Sequence, residues 1–315
     1  MDLFLQVFFW VLLLQASISI AAPILFAALG ECVAERAGFM NIGIEGMMTV
    51  GAWAAFLAAV FTGNSWAGIG IGTLGGGLIA LLAAWICVSR GADQIVTGIM
   101  LNLFCLGLTS VSFGAIFVAP RPVPTLDPMA VYRIPFLSDL PYVGKILFSH
   151  SPLVYVAFAL VVLLFVLLNR TTLGLQIRAV GEKPEAAEAA GVDVFRIRYF
   201  AIVVGGALAG LGGAVLSVGQ LGLFSDFMTG GRGFIALAVV VFARWDPVKI
   251  LGASLLFGLA EAVQARLQAV GAPVPHEFLL MLPYVLTIVV LLGVAGKSSY
   301  PSAVGLPFVR GTRRN

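Results

Sequence analysis

The sequence predicts an all-α polytopic membrane protein of about nine transmembrane helices (range about 8–10), N-terminus outside and C-terminus cytoplasmic. Three observations predict it. The chain is 60% hydrophobic and 10% charged with a mean hydropathy of +1.06, whereas soluble domains carry roughly 25% charged residues. Apolar runs near the roughly 18–20 residues needed to cross a bilayer recur along its length. The basic residues between those runs sort to one side.

The clear runs cover residues 3–29, 42–61, 66–88, 94–118, 199–219, 248–270 and 278–295. The run 153–168 is shorter and crosses with local bilayer thinning or flanking residues drawn into the interface. With Asp2 where a basic segment would stand, the N-terminus reads as a first span rather than a cleavable signal. Placing 170–198 in the cytoplasm gathers thirteen Lys and Arg residues there, from Arg36 to Arg314, against Arg121, Arg133, Lys145 and Arg232 outside. That is the bias the positive-inside rule requires. The orientation needs an odd number of crossings, so a ninth is assigned to FIALAVVVFA, 234–243. Ten residues are about half a bilayer long, so this segment is extended by Gly230, Gly231 and Gly233 or is a broken helix buried in protein.

Residues 1–315 form a single transmembrane domain in this reading. The proline-rich segment 119–151 is an external loop, and the tail after Gly296 is short and basic. Gly72 with Gly76 and Gly206 with Gly210 give small-xxx-small spacing, read as close helix packing within the bundle. Cys32, Cys87 and Cys105 lack metal or disulfide spacing and read as small buried thiols, so no metal site is expected.

A hydrophilic island, RAVGEKPEAAEAAGVDVFRIR at 178–198, interrupts the apolar chain. Pro184 at a first turn and Gly191 as a stop frame a two-turn helix over Pro184 to Ala190. Glu185 and Glu188 sit near its positive end, while Ala186 and Ala187 leave one face small enough to slot against another protein surface. A solvated connector helix is the plainer alternative.

The spacing of Glu185, Ala186, Ala187 and Gly191 is similar to the EAA-xxx-G signature of ABC importer permeases, without the isoleucine and leucine-proline of its longer form. ERAGFMNIGIEGMMTVGAW, 35–53, resembles the N-terminal signature of the branched-chain amino acid and simple-sugar permease group, particularly its nucleoside-importing branch. GLGGAVLSVG, 210–219, resembles the same group. The resemblance implies that 170–198 is a cytoplasmic coupling loop, with Pro184, Glu185, Ala186, Ala187, Glu188 and Gly191 seated in a cleft of an ABC ATPase subunit. It further implies a second permease subunit, identical or homologous, an extracytoplasmic solute-binding protein, and residence in the lipid of a bacterial cytoplasmic (inner) membrane. ATP and Mg belong to the partner ATPase, with no cofactor, catalytic residue or nucleic-acid partner expected in this chain. Nucleosides or related purine and ribose solutes are the implied cargo, with simple sugars or branched-chain amino acids as the alternative.

Polar residues within spans are candidates for the solute path, because such groups are costly in a membrane. Asn41 and Glu45 stand where the second span begins, as a helix cap or as part of a gate, with Gly43 and Gly46 allowing close backbone approach. Glu261, Gln264 and Gln268 share one helix face and form a polar stripe suited to a hydroxyl-rich solute. Glu261 pairing with Arg266 or a neighbouring helix is the alternative. Asn102, Gln15, Ser17 and Ser19 are weaker candidates, equally explained by interhelical hydrogen bonds. Phe224 and Phe227 stack a base or anchor at the interface.

Two other classes fit less well. An ion-coupled carrier needs buried coupling carboxylates, and Glu261 is the one deep acid in this reading. An intramembrane enzyme needs clustered catalytic groups, whereas His150 and His276 both fall in outer loops. GVAGKSS, 293–299, lacks the first glycine of a phosphate loop, Leu291 standing there, so ATP hydrolysis is assigned to a separate subunit.

Overall fold

Apolar helices separated by capped starts build a helical bundle in the computed structural model, which describes residues 7–117, 124–271, 275–294 and 300–308. In chain order the helices are α1 (Val7–Arg36), α2 (Ile44–Thr62), α3 (Ser65–Ala84), α4 (Gln94–Ile116), α5 (Val143–Leu147) and α6 (Pro152–Arg170). There follow α7 (Thr172–Glu182), α8 (Pro184–Ala189), α9 (Val194–Ala214), α10 (Arg232–Phe242), α11 (Pro247–Ala269) and α12 (His276–Val294). Five starts are fixed locally: Asn64, Asp93, Thr171, Asp193 and Asp246 each accept backbone N–H groups of the following turn. α3 and α9 each run on into a π-helical turn, Trp85–Ser89 and Val215–Leu221. Two residue pairs, Tyr132 with His150 and Arg133 with Ser149, make a short antiparallel ribbon between α4 and α6.

Seven helices among the described residues are long and apolar enough to cross a membrane: α1, α2, α3 with its π turn, α4, α6, α9 with its π turn, and α11. The protein is therefore an all-α, multi-pass membrane protein. The segment assigned as a ninth crossing gains Arg232 and Gly233 and ends one residue earlier, at Phe242, so α10 has 11 residues. At 1.5 Å per residue it is about 16 Å long, roughly half the hydrocarbon thickness. It is a half-helix buried in protein, as irregular backbone at membrane depth requires, with Ile235, Ala236, Val239 and Val240 in the core.

Glycine decides how the bundle closes. Lipid provides little hydrophobic drive between helices, so association rests on close packing at small residues. A Cβ on Gly76 of α3 would lie 2.6 Å from the Gly210 Cα of α9, and one on Gly210 would lie 2.7 Å from the Gly72 carbonyl oxygen. Both small-residue pairs thus pack against each other inside one chain. By contrast α4 and α6 expose Leu103, Phe104, Val111, Val162 and Leu163, the apolar surface expected to face lipid or another subunit. All three cysteines are buried free thiols.

The chain after α12 returns to the bundle. Ala303 donates its N–H to the Gly181 carbonyl at 2.9 Å, and Arg198 Nη1 donates to the Leu306 carbonyl at 3.1 Å. Ser302 Oγ donates to Glu182 Oε2 at 3.1 Å, which ties this segment to the residues just before α8.

Candidate functional site

The short helix α10 needs help at both ends. Its start follows Gly230 and Gly231, both in left-handed conformation, and Gly231 has no side chain with which to cap the exposed amides. Glu45 of α2 supplies that cap. Its Oε1 accepts N–H from Gly231 at 2.9 Å and the Thr229 hydroxyl at 2.6 Å, while Oε2 accepts N–H from Gly233 at 2.7 Å. Thr49 closes the network, donating to the Glu45 carbonyl at 2.9 Å and lying 3.2 Å from the Thr229 hydroxyl. At the other end Arg36 Nη2 donates to the Trp245 carbonyl at 3.1 Å, and the Trp245 indole N–H donates to the buried Glu35 carboxylate.

Asn41 does not cap α2. Gly43 holds the cap position without a side-chain bond, because the Asn41 amide is turned to the Met47 sulfur at 3.2 Å. Its backbone N–H donates to Glu31 Oε1 at 3.0 Å instead. Asn102 of α4 binds the same bend from the far side, accepting from Gly46 N–H and donating to the Ile42 carbonyl, both at 2.8 Å. Asn41 and Asn102 are thus buried ties holding a non-helical turn. Gly43 and Gly46 allow α4 to approach, a Cβ on Gly46 meeting Cys105 Cβ at 3.0 Å.

With α10 so placed, its first residue faces α11. Arg232, expected in an outer loop, instead forms an ion pair with Glu261, Nη2 to Oε2 at 2.8 Å. The partner of Glu261 is therefore a neighbouring helix and not Arg266. The pair lies on the wall of a cavity of about 510 Å³ that also receives Gln220, Gln264 and Tyr284. Tyr284 donates its hydroxyl to the Gly230 carbonyl at 3.0 Å, and Gln220 Nε2 donates to the Ser19 carbonyl at 2.6 Å. Gln268, one turn beyond Gln264, is not on this wall, and its Nε2 is buried with no partner.

Two further hollows continue from this one along α1. The next, about 440 Å³, shares Ile20 and Gln220 with it and adds Gln15, Ser19, His150 and Arg266. The third, about 760 Å³, shares Gln15 and Ser149 with the second and reaches Lys145 and Arg133. Gln15 and Ser19 therefore lie along a file of cavities ending at the Arg232–Glu261 pair, whereas Ser17 turns its hydroxyl back to the Leu13 carbonyl at 2.7 Å. Phe224 is buried among Phe56, Phe113 and Phe117, its centroid 5.1 Å from that of Phe113, and has no face left for a base. Phe227 is exposed.

A second feature sits on α7 and α8. Pro184 opens α8, the helix ends at Ala189, and Gly191 follows in left-handed conformation, as the framing residues predict. The two alanines of the expected small face differ in exposure but share one groove. Ala186 is exposed and Ala187 is largely buried against the core, and both line, with Leu175, Ala179, Ala190 and Val192, an apolar groove of about 630 Å³. Glu185 points outward beside it, and Glu188 is half-buried.

A multi-pass helical bundle with a file of open cavities carrying scattered polar groups, and a short exposed helix on an apolar groove, is the form of a membrane transport subunit. The chain belongs to the family described as the branched-chain amino acid transport system permease component, whose model matches residues 13–291. It is 35% identical to a guanosine ABC transporter permease of Bacillus subtilis over 96% of this chain and 98% of that one. It is 34% identical to a nucleoside ABC transporter permease of Lactococcus lactis, covering 92% of this chain and 94% of the other. It is 42% identical to a protein named as a putative glucose ABC transporter permease of Haloferax volcanii, over 82% of this chain and 78% of that one. No solved structure matches. The chain is a permease subunit and not itself an enzyme.

Proposed function

We propose that the chain is the membrane-spanning permease of an ATP-driven importer that carries nucleosides inward across a bacterial cytoplasmic membrane. The observation that carries the nucleoside reading is near end-to-end similarity to two permeases whose names specify guanosine and nucleosides. The putative glucose permease among its relatives supports simple sugars as the second reading. Residues 1–315 act as one transmembrane domain with nine crossings, N-terminus outside, C-terminus cytoplasmic, and 119–151 as the external loop. The ninth crossing combines the descending chain 222–231 with α10. The Trp245 contact with Arg36 at the end of α1, and the Arg232 contact with Glu261 midway along α11, support it.

In this mechanism a solute-binding protein presents the solute at the outer end of the cavity file. The coupling loop 170–198 seats α8 in the cleft of an ATPase subunit, where ATP and Mg are bound. A second permease, identical or homologous, completes the pore. ATP-driven closure of the ATPase pair is transmitted through α8 to the bundle, shifting access from outside to inside. The test is uptake of labelled guanosine, ribose and leucine by vesicles holding the complete importer with internal ATP. Guanosine uptake competed by other nucleosides supports the reading, and uptake confined to ribose or leucine overturns its cargo.

A further inference from the structure

The cavity at the inner end of the file is unusual in its charge. Arg232 and Glu261 bring one positive and one negative group to the same wall, 2.8 Å apart, so the pair presents no net charge. Around it stand the uncharged Gln220, Gln264 and Tyr284. The Nε of Arg232 is buried and has no hydrogen-bond partner, a donor left over within the pair. The pair itself keeps part of its surface open, its side chains 24% and 13% exposed, so a solute in the cavity can meet it. A hollow of about 510 Å³ lies within the range of small-molecule sites.

We infer that the Arg232–Glu261 pair is a solute contact that selects neutral, hydroxyl- and amide-bearing molecules and turns away charged ones. This rests on the importer reading and narrows it. A neutral solute can give a hydroxyl or N–H to Glu261 and take one from Arg232 while the two charges still compensate each other. An anionic solute such as a nucleotide would have to break the pair to reach Arg232, leaving Glu261 unpaired in a poorly solvated wall. A zwitterionic amino acid meets the same obstacle twice, since each of its charges finds its counterpart already engaged. Selection therefore works by rejection, the carboxylate acting against anions and the guanidinium against cations.

Direct binding to the complete transporter in lipid nanodiscs, without the solute-binding protein, tests the pair. Guanosine, guanosine 5′-monophosphate, ribose and leucine are the probes. The wild type should bind guanosine and reject the monophosphate and leucine. Glu261→Gln should weaken guanosine about ten-fold, the effect of losing one hydrogen bond to a charged group, and strengthen the monophosphate about ten-fold by freeing Arg232. Gln264→Leu, which keeps the pair, should weaken guanosine by several-fold and leave monophosphate rejection intact. This gain of anion binding is not produced by misfolding. Unchanged affinities and unchanged rejection in Glu261→Gln overturn the inference even where guanosine binds the wild type. Wild-type binding of ribose but not guanosine, with the monophosphate still gained in the variant, keeps the pair as the selector and overturns the nucleoside reading.

Discussion

The carboxylate of Glu45 caps a helix 188 residues away in the chain, its Oε2 accepting the Gly233 amide at 2.7 Å. Through this bond the start of α2 fixes where α10 begins, and so where Arg232 meets Glu261. A Cβ on Gly233 would lie 2.8 Å from the Glu45 Cα. Gly233→Ala should therefore destabilise the protein by about 1–3 kcal/mol through overpacking, read as a lower unfolding midpoint of the purified transporter.

Glu45→Gln keeps the volume but exchanges one acceptor oxygen for an NH₂ group that cannot accept from Thr229 or from an α10 amide. The loss should cost about 1–3 kcal/mol. Transport should fall while Glu45→Asp, which keeps the charge, recovers part of the stability. Equal stability of the Gln variant and the wild type would mean that the cap contributes nothing.

Ala186 and Ala187 should separate coupling from folding. Ala186→Arg alters only the exposed groove and should leave the amount of membrane-inserted protein unchanged while uptake falls ten-fold or more. Ala187→Leu forces a larger side chain into packed surroundings and should reduce the inserted protein itself. Normal coupled uptake by Ala186→Arg would remove the groove from the ATPase contact.

His150 lies outside the spanning helices and is buried at the end of the two-stranded ribbon. Its Nε2 is 2.7 Å from the Ile146 carbonyl, which only accepts, so Nε2 donates and Nδ1 accepts from the Ser19 hydroxyl at 3.1 Å. Burial lowers its pKa, opposed in part by the Ile146 bond. The unfolded chain then binds the proton more readily, so stability is complete above about pH 6.5 and declines as pH falls toward the lowered folded value. Unfolding midpoints measured from pH 7.5 down to 5.5 should drop for the wild type and drop less for His150→Gln.

Much of this fold is legible in the residues because it is written locally. Pro184 and Gly191 frame α8, and the long apolar runs mark the spans, since lipid demands length and apolarity of each segment alone. The glycine pairs are legible as packing for the same reason. The site is not. Glu45 reads as a residue of its own helix start, whereas its acceptors bind amides on α10, a relation no local pattern contains. Arg232 reads as a loop cation because glycines precede it, and those same glycines bring it to Glu261. Asn41 has the composition of a cap, but the bend it occupies directs its amide to Met47. Phe224 has the chemistry to stack a base and is instead packed against the rings of Phe56 and Phe113. The one signal available beforehand was the charge of Glu261 within an apolar run, which demands a partner.

The most direct test of the account is solute-stimulated ATP hydrolysis measured together with uptake, in vesicles containing this chain and its copurifying partners. The account predicts that guanosine and related nucleosides raise ATP hydrolysis and accumulate inside, while ribose and leucine do neither. Nucleoside accumulation that proceeds with no associated ATPase would contradict it.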